Sequence, residues 1–382
     1  MQVRIPAIYM RGGTSKALLF MEKDLPSDPE VRDRVILAAY GSPDPNARQI
    51  DGMGGAVSST SKIAIISPSK VPGTEVNYRF GQVSITTPSI GYKGNCGNIS
   101  SAVGPFAIDA GLVSAQEPVT TVRIWQENTK KIIVAEVPVK NGRHLVEGDY
   151  SIDGVPGSGA KIRLKFLDPG GAVTGKLLPT GNVRDALEIP EYGTFAVSLV
   201  DAANPVVFLR ARELGLQGTE IKLDSNPEML RKLEVIRRYA AVRIGVANSP
   251  EEAVPNLPFI AFVCEPKEYK SISGQLVKIA DIDFIDRVIS MGKLHGAHPG
   301  TIAICAAGAA KIDGTIVNEV TNKASLSRDE LRIGHPGGII TVTSIIERKK
   351  GGFHYVEATI GRTARRLMEG YVLVPEKFFS KN

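Results

Sequence analysis

The chain has 382 residues, of which 43% are hydrophobic and 23% charged. That is a globular composition with room for two domains, and it excludes wholesale disorder and collagen-like repeats. The net charge of +6 is spread along the chain without a Lys/Arg block or interleaved aromatics, so a nucleic-acid partner is not expected.

In chain order, strand-like runs at Val3–Met10 and Ala17–Phe20 flank a polar turn, RGGTSK, at Arg11–Lys16. A helix is expected over Pro29–Tyr40, followed by the Gly-rich stretch QIDGMGGAVSSTSK at Gln49–Lys62 and strands at Ile63–Ile66 and Gln82–Thr86. The turn GNCGN at Gly94–Asn98 leads into a helix over Asn98–Ala110. Strands are then expected at Val119–Ile124, Ile132–Pro138, Ile162–Phe166, Phe195–Val200 and Val206–Leu209. A helix over Pro227–Val242, a strand at Phe259–Val263 and helices over Asp281–Ser290 and Thr301–Lys311 follow, with closing strands at Ile339–Ile346 and Tyr355–Ile360. The strand runs are rich in Val, Ile and Phe and are bounded by Gly, Pro, Asn or Asp. The helices rest on periodicity and caps. Strands outnumber helices and the helices come singly, which is an α+β pattern and not a βαβ series.

The chain echoes itself. GNCGNISSAVGPFAIDAG (Gly94–Gly111) resembles HPGTIAICAAGAAKIDG (His298–Gly314), so that Gly104, Ile108 and Asp109 fall on Gly308, Ile312 and Asp313. SKALLF at Ser15–Phe20 is echoed more weakly by NPVVFL at Asn204–Leu209. Helices so apolar and so rich in Ala, Ser and Gly have to be surrounded by protein. Two similar domains are the reading, residues 1–188 and 189–382, with the last strand or helix free to return to the first.

Cys96, Cys264 and Cys305 show no CxxC spacing, so neither a disulfide framework nor a zinc site is expected. The five histidines are scattered, and no metal is expected. There is no signal-peptide core at the N-terminus and no apolar run of membrane-spanning length, which predicts a cytoplasmic protein with reduced thiols and no membrane partner. Gly170–Leu177, GGAVTGKL, comes near a phosphate loop, but Leu177 stands where the magnesium-ligating hydroxyl belongs. Cys96, in a Gly/Asn turn before a helix, sits where free N–H groups favour a thiolate and bind anions. Lys62 enters the apolar run IAII, where burial would lower its pKa and make it a base. For each the alternative is structural: Cys96 as a small buried hydrophobe, Lys62 as a solvated strand end.

Several blocks carry a family resemblance: RGGTSK (11–16), GSPDPNARQIDGMGG (41–55), SSTSK (58–62), GNCGN (94–98), RIGHPGG (332–338) and GRTARRLMEGYVLVP (361–375). Together, from about residue 4 to residue 375, they resemble the PrpF family of methylaconitate and methylitaconate isomerases and 4-oxalomesaconate tautomerases. The resemblance implies a diaminopimelate-epimerase-like fold, two similar domains that each wrap a β-barrel-like sheet around a central helix, with the site in the cleft. It implies a cofactor-free allylic 1,3-proton shift in an unsaturated di- or tricarboxylic acid. The family's lysine and cysteine fall on Lys62 and Cys96. Substrate-binding groups would come from Thr14, Ser15, Arg48, Ser58, Ser59, Asn95, Gly97 and Asn98, and from Gly300 and Thr301 in the second half. Related epimerases carry a cysteine at each helix start. Here Gly300 matches Cys96 and Cys305 lies inside the helix, which argues against a two-cysteine racemase. The alternatives are an amino-acid epimerase or a non-catalytic tricarboxylate-binding protein. A small polycarboxylate is the expected partner, and a homodimer or higher homo-oligomer is left open.

Overall fold

Strands carry most of the ordered backbone, as Val/Ile-rich runs cut by glycine and proline require. The computed structural model describes residues 1–380. It divides into one compact unit made of Met1–Ser151, Gly157–Leu164 and the chain from Arg362 on, and a second made of Ile152–Pro156 and Lys165–Gly361.

In the first unit, β1 (Gln2–Gly12) and β2 (Ser15–Met21) form an antiparallel hairpin. Helix α1 (Pro29–Tyr40) crosses over to β3 (Lys62–Pro68), which runs parallel to β2. The Asp28 side chain caps α1 by accepting from the Glu30 and Val31 amides, and Gly41 closes it in the left-handed region at φ 65°. β4 (Val76–Val83) returns antiparallel to β3, and helix α2 (Gly97–Asp109) leads to β5 (Val119–Gln126), parallel to β4. β6 (Lys131–Lys140) pairs antiparallel with β5. Strands of this sheet wrap α2, which touches β1, β2, β3, β5 and β6 and is buried from Gly97 to Ile108. A second core, with Leu18, Phe20, Val35, Ile36, Tyr40, Ile63 and Ile65, packs α1 against the sheet.

Strand β7 (Ile162–Leu167) carries the chain onward. In the second unit β8 (Asp185–Ile189) precedes the hairpin of β9 (Gly193–Ala202) and β10 (Asn204–Arg210). Helix α3 (Pro227–Arg243) crosses to β11 (Phe259–Cys264), parallel to β10, and β12 (Phe284–Ser290) returns antiparallel. Helix α4 (Gly300–Lys311) and the short α5 (Ile316–Val320) lead to β13 (Glu330–His335), parallel to β12. β14 (Gly338–Lys349) and β15 (Gly352–Arg362) close the unit with antiparallel pairings. α4 touches β9, β10, β13 and β14 and is buried from Gly300 to Ala310. β16 (Ala364–Pro375) then pairs antiparallel with β1 in the first unit.

The two units share one plan. Each runs hairpin, crossover helix, parallel strand, antiparallel strand, buried helix, parallel strand, antiparallel strand. The echo between Ser15–Phe20 and Asn204–Leu209 is therefore β2 against β10, and the helix echo is α2 against α4. Each buried helix also carries a glycine where its sheet comes close. A Cβ on Gly104 would lie 2.8 Å from Val137 Cγ2, and one on Gly308 would lie 2.4 Å from Tyr355 Cε1.

Two local expectations are corrected. Asp281–Ser290 is not a helix, since its core is β12, buried at every residue between β11 and β13. The spacing of Ile282, Ile285, Val288 and Ile289 fits a helix, but the intervening Asp286 and Arg287 are buried as well, so the two-residue alternation of a half-exposed strand never forms. The strand expected at Gln82–Thr86 is β4, which ends at Val83. Beyond it, Ser84, Thr87 and Ser89 link hydroxyls across a turn. β8, β13 and β16 were not anticipated as strands.

Candidate active site

Lys62 is the first residue of β3, directly opposite Gln82 on β4. Its main-chain carbonyl accepts from the Tyr40 hydroxyl of α1, which holds the strand end against the helix. Its side chain is 8% exposed. Nζ donates to Gln82 Oε1 at 2.5 Å and lies 5.2 Å from the centre of the Phe80 ring. Burial lowers the pKa of Lys62, and the Cys96 thiol group, acting as a negative neighbour, opposes that shift. Among the described residues no carboxylate is paired with Lys62.

Cys96 is the N-cap of α2 and is 8% exposed, and its side chain makes no capping bond. Its amide donates to Asn95 Oδ1 at 2.6 Å, and its carbonyl accepts from Ser100 Oγ at 2.9 Å. The thiol is thus held beside the free amides of the first helical turn, where the helix dipole favours negative charge. Lys62, Tyr78 and Arg362 feel it electrostatically. Burial raises Tyr78 far above the usual phenol range, with Cys96 adding to the shift. Burial lowers Arg362 to about 10.

The β1–β2 turn lies against the same helix start. Asn98, second in α2, donates from Nδ2 to Thr14 Oγ1 at 3.0 Å and accepts from Arg362 Nε at Oδ1, also at 3.0 Å. Because Asn98 donates to the Thr14 oxygen, the Thr14 hydroxyl proton is left to point elsewhere. The paired glycines of RGGTSK permit this approach. A Cβ on Gly12 would sit 2.6 Å from the Asn98 carbonyl oxygen, and one on Gly13, at φ +50°, would sit 2.3 Å from Asn98 Oδ1. Ser15 begins β2 and is buried.

Of the other expected binding residues, Ser58 and Ser59 contribute main chain: the Ser58 carbonyl accepts from Gln82 Nε2 at 3.2 Å, and that of Ser59 from the Lys16 amide at 2.8 Å. Arg48 is exposed, and its amide donates to Asp44. Its neighbour Gln49, 1% exposed, ties the loop down by bonding Ser42, the Ala56 amide and Ser61. The structure thus gathers Thr14, Asn95, Cys96, Gly97, Asn98 and Lys62 with Gln82, Tyr78 and Arg362, and does not bring Arg48 to them by any contact. Gln82, Tyr78 and Arg362 are the residues that sequence reasoning missed. Gln82 and Tyr78 need the placement of β4, and Arg362 lies 264 positions from the asparagine it orients.

In the second unit Gly300 and Thr301 open α4. Thr301 Oγ1 accepts from Asn204 Nδ2 at 2.8 Å, Asn204 being the first residue after the β9–β10 turn. Pro299 is the N-cap. Before it, His298 Nε2 lies 3.0 Å from Asp286 Oδ2, both residues being buried. Cys305 is fully buried inside the helix, with Sγ 3.4 Å from the Val200 carbonyl, and burial pushes its thiol well above the usual range. Cys264 is raised to about 11 by burial. The near-phosphate loop at Gly170–Leu177 already has an anion: Asp201 Oδ2 accepts from the Val173 and Thr174 amides at 2.8 and 2.6 Å. Among the described residues no three His, Cys, Asp or Glu side chains are grouped to hold a metal. Among the described residues no helix is long and apolar enough to cross a membrane.

Residues 2–375 match the family model described as PrpF protein. The chain is 48% identical to the 3-methylitaconate isomerase of Eubacterium barkeri, covering 98% of each chain. It is 43% identical to the 2-methyl-aconitate isomerase of Shewanella oneidensis, again over 98% of each. A solved structure of methylitaconate-delta-isomerase superposes with a TM-score of 0.79 at 46% identity, covering 100% of this chain and 98% of that one. A hydroxyproline epimerase from Agrobacterium vitis, at 12% identity and a TM-score of 0.58 over 97% of this chain and 92% of that one, shows the same epimerase-like fold.

Proposed function

The chain belongs to the PrpF family, and from that premise we propose that it is a cofactor-independent isomerase. It moves a proton between the ends of an allyl unit in an unsaturated di- or tricarboxylic acid such as methylitaconate, methylaconitate or oxalomesaconate. The observation that carries this reading is the convergence of Lys62 and Cys96, one buried amine without a carboxylate partner and one thiol at a helix start, close enough to act on each other electrostatically.

The amine suits proton removal. Burial shifts it toward its neutral form, and a neutral amine is a general base. Lys62 takes the allylic proton and becomes an ammonium, and the electron pair spreads into the dienolate of the adjacent carboxylate. Helix-start amides at Gly97 and Asn98 and the Thr14 and Ser15 hydroxyls stabilise that charge, an oxyanion-hole-type effect. Cys96 delivers a proton two carbons away and becomes a thiolate. Proton transfer from the Lys62 ammonium to the Cys96 thiolate then resets both groups, so no atom is gained or lost over the cycle. Gly300 and Thr301 keep their assignment as carboxylate-binding donors on the same ground, an amide-rich helix start.

Incubation in deuterated water with methylitaconate, methylaconitate, aconitate and oxalomesaconate, followed by proton NMR, tests the reading. Exchange at both allylic positions with double-bond migration is expected. Exchange confined to an amino acid α-hydrogen would make the protein an epimerase, and binding without exchange would make it a non-catalytic protein. The repeat sets Gly300 against Cys96, but by helix position the counterpart of Cys96 is Pro299, the N-cap of α4, and neither residue carries the thiol that a two-cysteine epimerase needs there.

A further inference from the structure

Gln82 makes three bonds that leave its amide only one orientation. Its Nε2 donates to the carbonyls of Ser58 and Ser61, at 3.2 and 2.9 Å. Both are pure acceptors, so a flipped amide would set oxygen against two oxygens. Oε1 is therefore fixed toward Lys62 Nζ, 2.5 Å away. The cross-strand register places Gln82 directly opposite Lys62, and the two carbonyls come from the segment that leads into β3. The lysine head group is thus aimed by a polar group that is itself aimed.

The chemical identity of that group matters as much as its position. A glutamate would offer Lys62 an acceptor in the same place and lock the lysine as an ammonium, while setting its second oxygen against the Ser58 and Ser61 carbonyls. The amide accepts from the ammonium more strongly than from the neutral amine, but it brings no charge and so holds the proton on far less than a carboxylate would. The other groups that face Lys62 are the Phe80 ring on β4 and Cys96 at the start of α2; Tyr40 of α1 meets only its main chain. Behind Cys96 stand Tyr78 on β4 and Arg362 at the end of β15. Among the described residues, the only partner that could carry full negative charge beside the amine is the thiol proposed to trade protons with it.

Resting on the reading of Lys62 as the base, we propose that Gln82 is a positioning residue that points the Lys62 amine and, by being an uncharged acceptor, keeps it available in its neutral form. Gln82→Glu keeps an acceptor toward Lys62 Nζ and adds the charge, while giving up the two donations to Ser58 and Ser61. The apparent pKa of the ascending limb of kcat against pH should move up by about one unit or more, with activity at pH 7 falling at least tenfold and returning at alkaline pH. Gln82→Met keeps the bulk and removes the acceptor. It should lower kcat about tenfold on the plateau, leave the limb in place or move it slightly down and never up, and change KM little. An ascending limb unmoved in a folded Gln82→Glu protein overturns the proposal. Where that variant fails to fold, Gln82→Met decides: normal kcat overturns it, and a plateau loss without an upward move of the limb supports it. Lys62→Ala separates this proposal from the one beneath it. If Lys62→Ala turns over normally, Lys62 is not the base and both fail. If it is inactive while the Gln82 variants behave as wild type, only the role of Gln82 fails.

Discussion

The starts of α2 and α4 are the same piece of architecture with different contents. Each opens a wholly buried helix with glycine, at Gly97 and Gly300, and each is tied to the turn of its hairpin by an asparagine amide that donates to a threonine hydroxyl. At α2 the N-cap is Cys96, with Lys62, Tyr78 and Arg362 within electrostatic reach. At α4 the N-cap is Pro299, which has no side-chain proton to give, and the nearby ionisable pair, His298 and Asp286, is turned on itself. The two units thus share the scaffold and its helix-start amides, while the proton carriers proposed above both lie in the first. Two similar halves need not share the chemistry.

The sharpest way to break that asymmetry is to disable one copy at a time. Lys62→Ala should lower kcat by about two orders of magnitude or more, the usual scale for a general acid–base group, and Cys96→Ser should be comparably impaired because a hydroxyl is a far weaker acid than a thiol. Cys305→Ala, in the other helix, should leave turnover largely intact. Steady-state rates on protein checked by circular dichroism decide it, and an inactive, folded Cys305→Ala would return the second helix to the chemistry.

Accessibility should divide the thiols in the same way. Limiting iodoacetamide should label Cys96 before Cys264 and Cys305, because burial raises the pKa of both of the latter. An unsaturated tricarboxylate should protect Cys96, and peptide mass mapping reads out both results.

Next in size are the close approaches. Gly13→Ala would force a side chain into the left-handed region and against Asn98, and should cost about 2 kcal/mol or more in urea unfolding. Gly308→Ala, against Tyr355, should cost a similar amount. The two should differ in function, since only Gly13 holds the α2 start: Gly13→Ala should also raise KM.

The smallest expected effect concerns stability. The folded-state pKa of Lys62 is depressed by burial, so the unfolded chain binds the extra proton more readily and Lys62 penalises folding below its folded pKa. The penalty fades as pH rises toward the unfolded lysine value of about 10.4. Lys62→Met should therefore be more stable than the parent at pH 7, by about 1–2 kcal/mol, and lose that advantage on going to alkaline pH. Thermal unfolding across pH checks the sign. A Met variant less stable at neutral pH would mean that the amine is not desolvated as described.

Lys62 and Cys96 were legible in the sequence because each interrupts a pattern: a lysine entering an apolar strand, a thiol among glycine and asparagine before an apolar helix. The repeat was legible for the same reason, since buried helices of small residues are unusual enough to recognise twice. Gln82 was not legible. It sits in an ordinary β4 sequence, and its meaning comes from the residue it faces across the sheet. Arg362 reaches Asn98 only through folding of the last strands, and β12 hid its strand character because both of its faces are buried. Local pattern reports what a residue is, and register reports whom it meets.

The asparagine–threonine ties carry one more consequence. In the first unit the asparagine is on the helix and the threonine on the hairpin turn, whereas in the second the asparagine follows the turn and the threonine is on the helix. On the hairpin side the places differ by one, because Asn204 falls on Ser15 and not on Thr14, so a position-by-position comparison of the halves misses the correspondence. What the two units share there is a bond and not a pair of letters: an amide-to-hydroxyl tie between turn and helix start, visible only when contacts are compared.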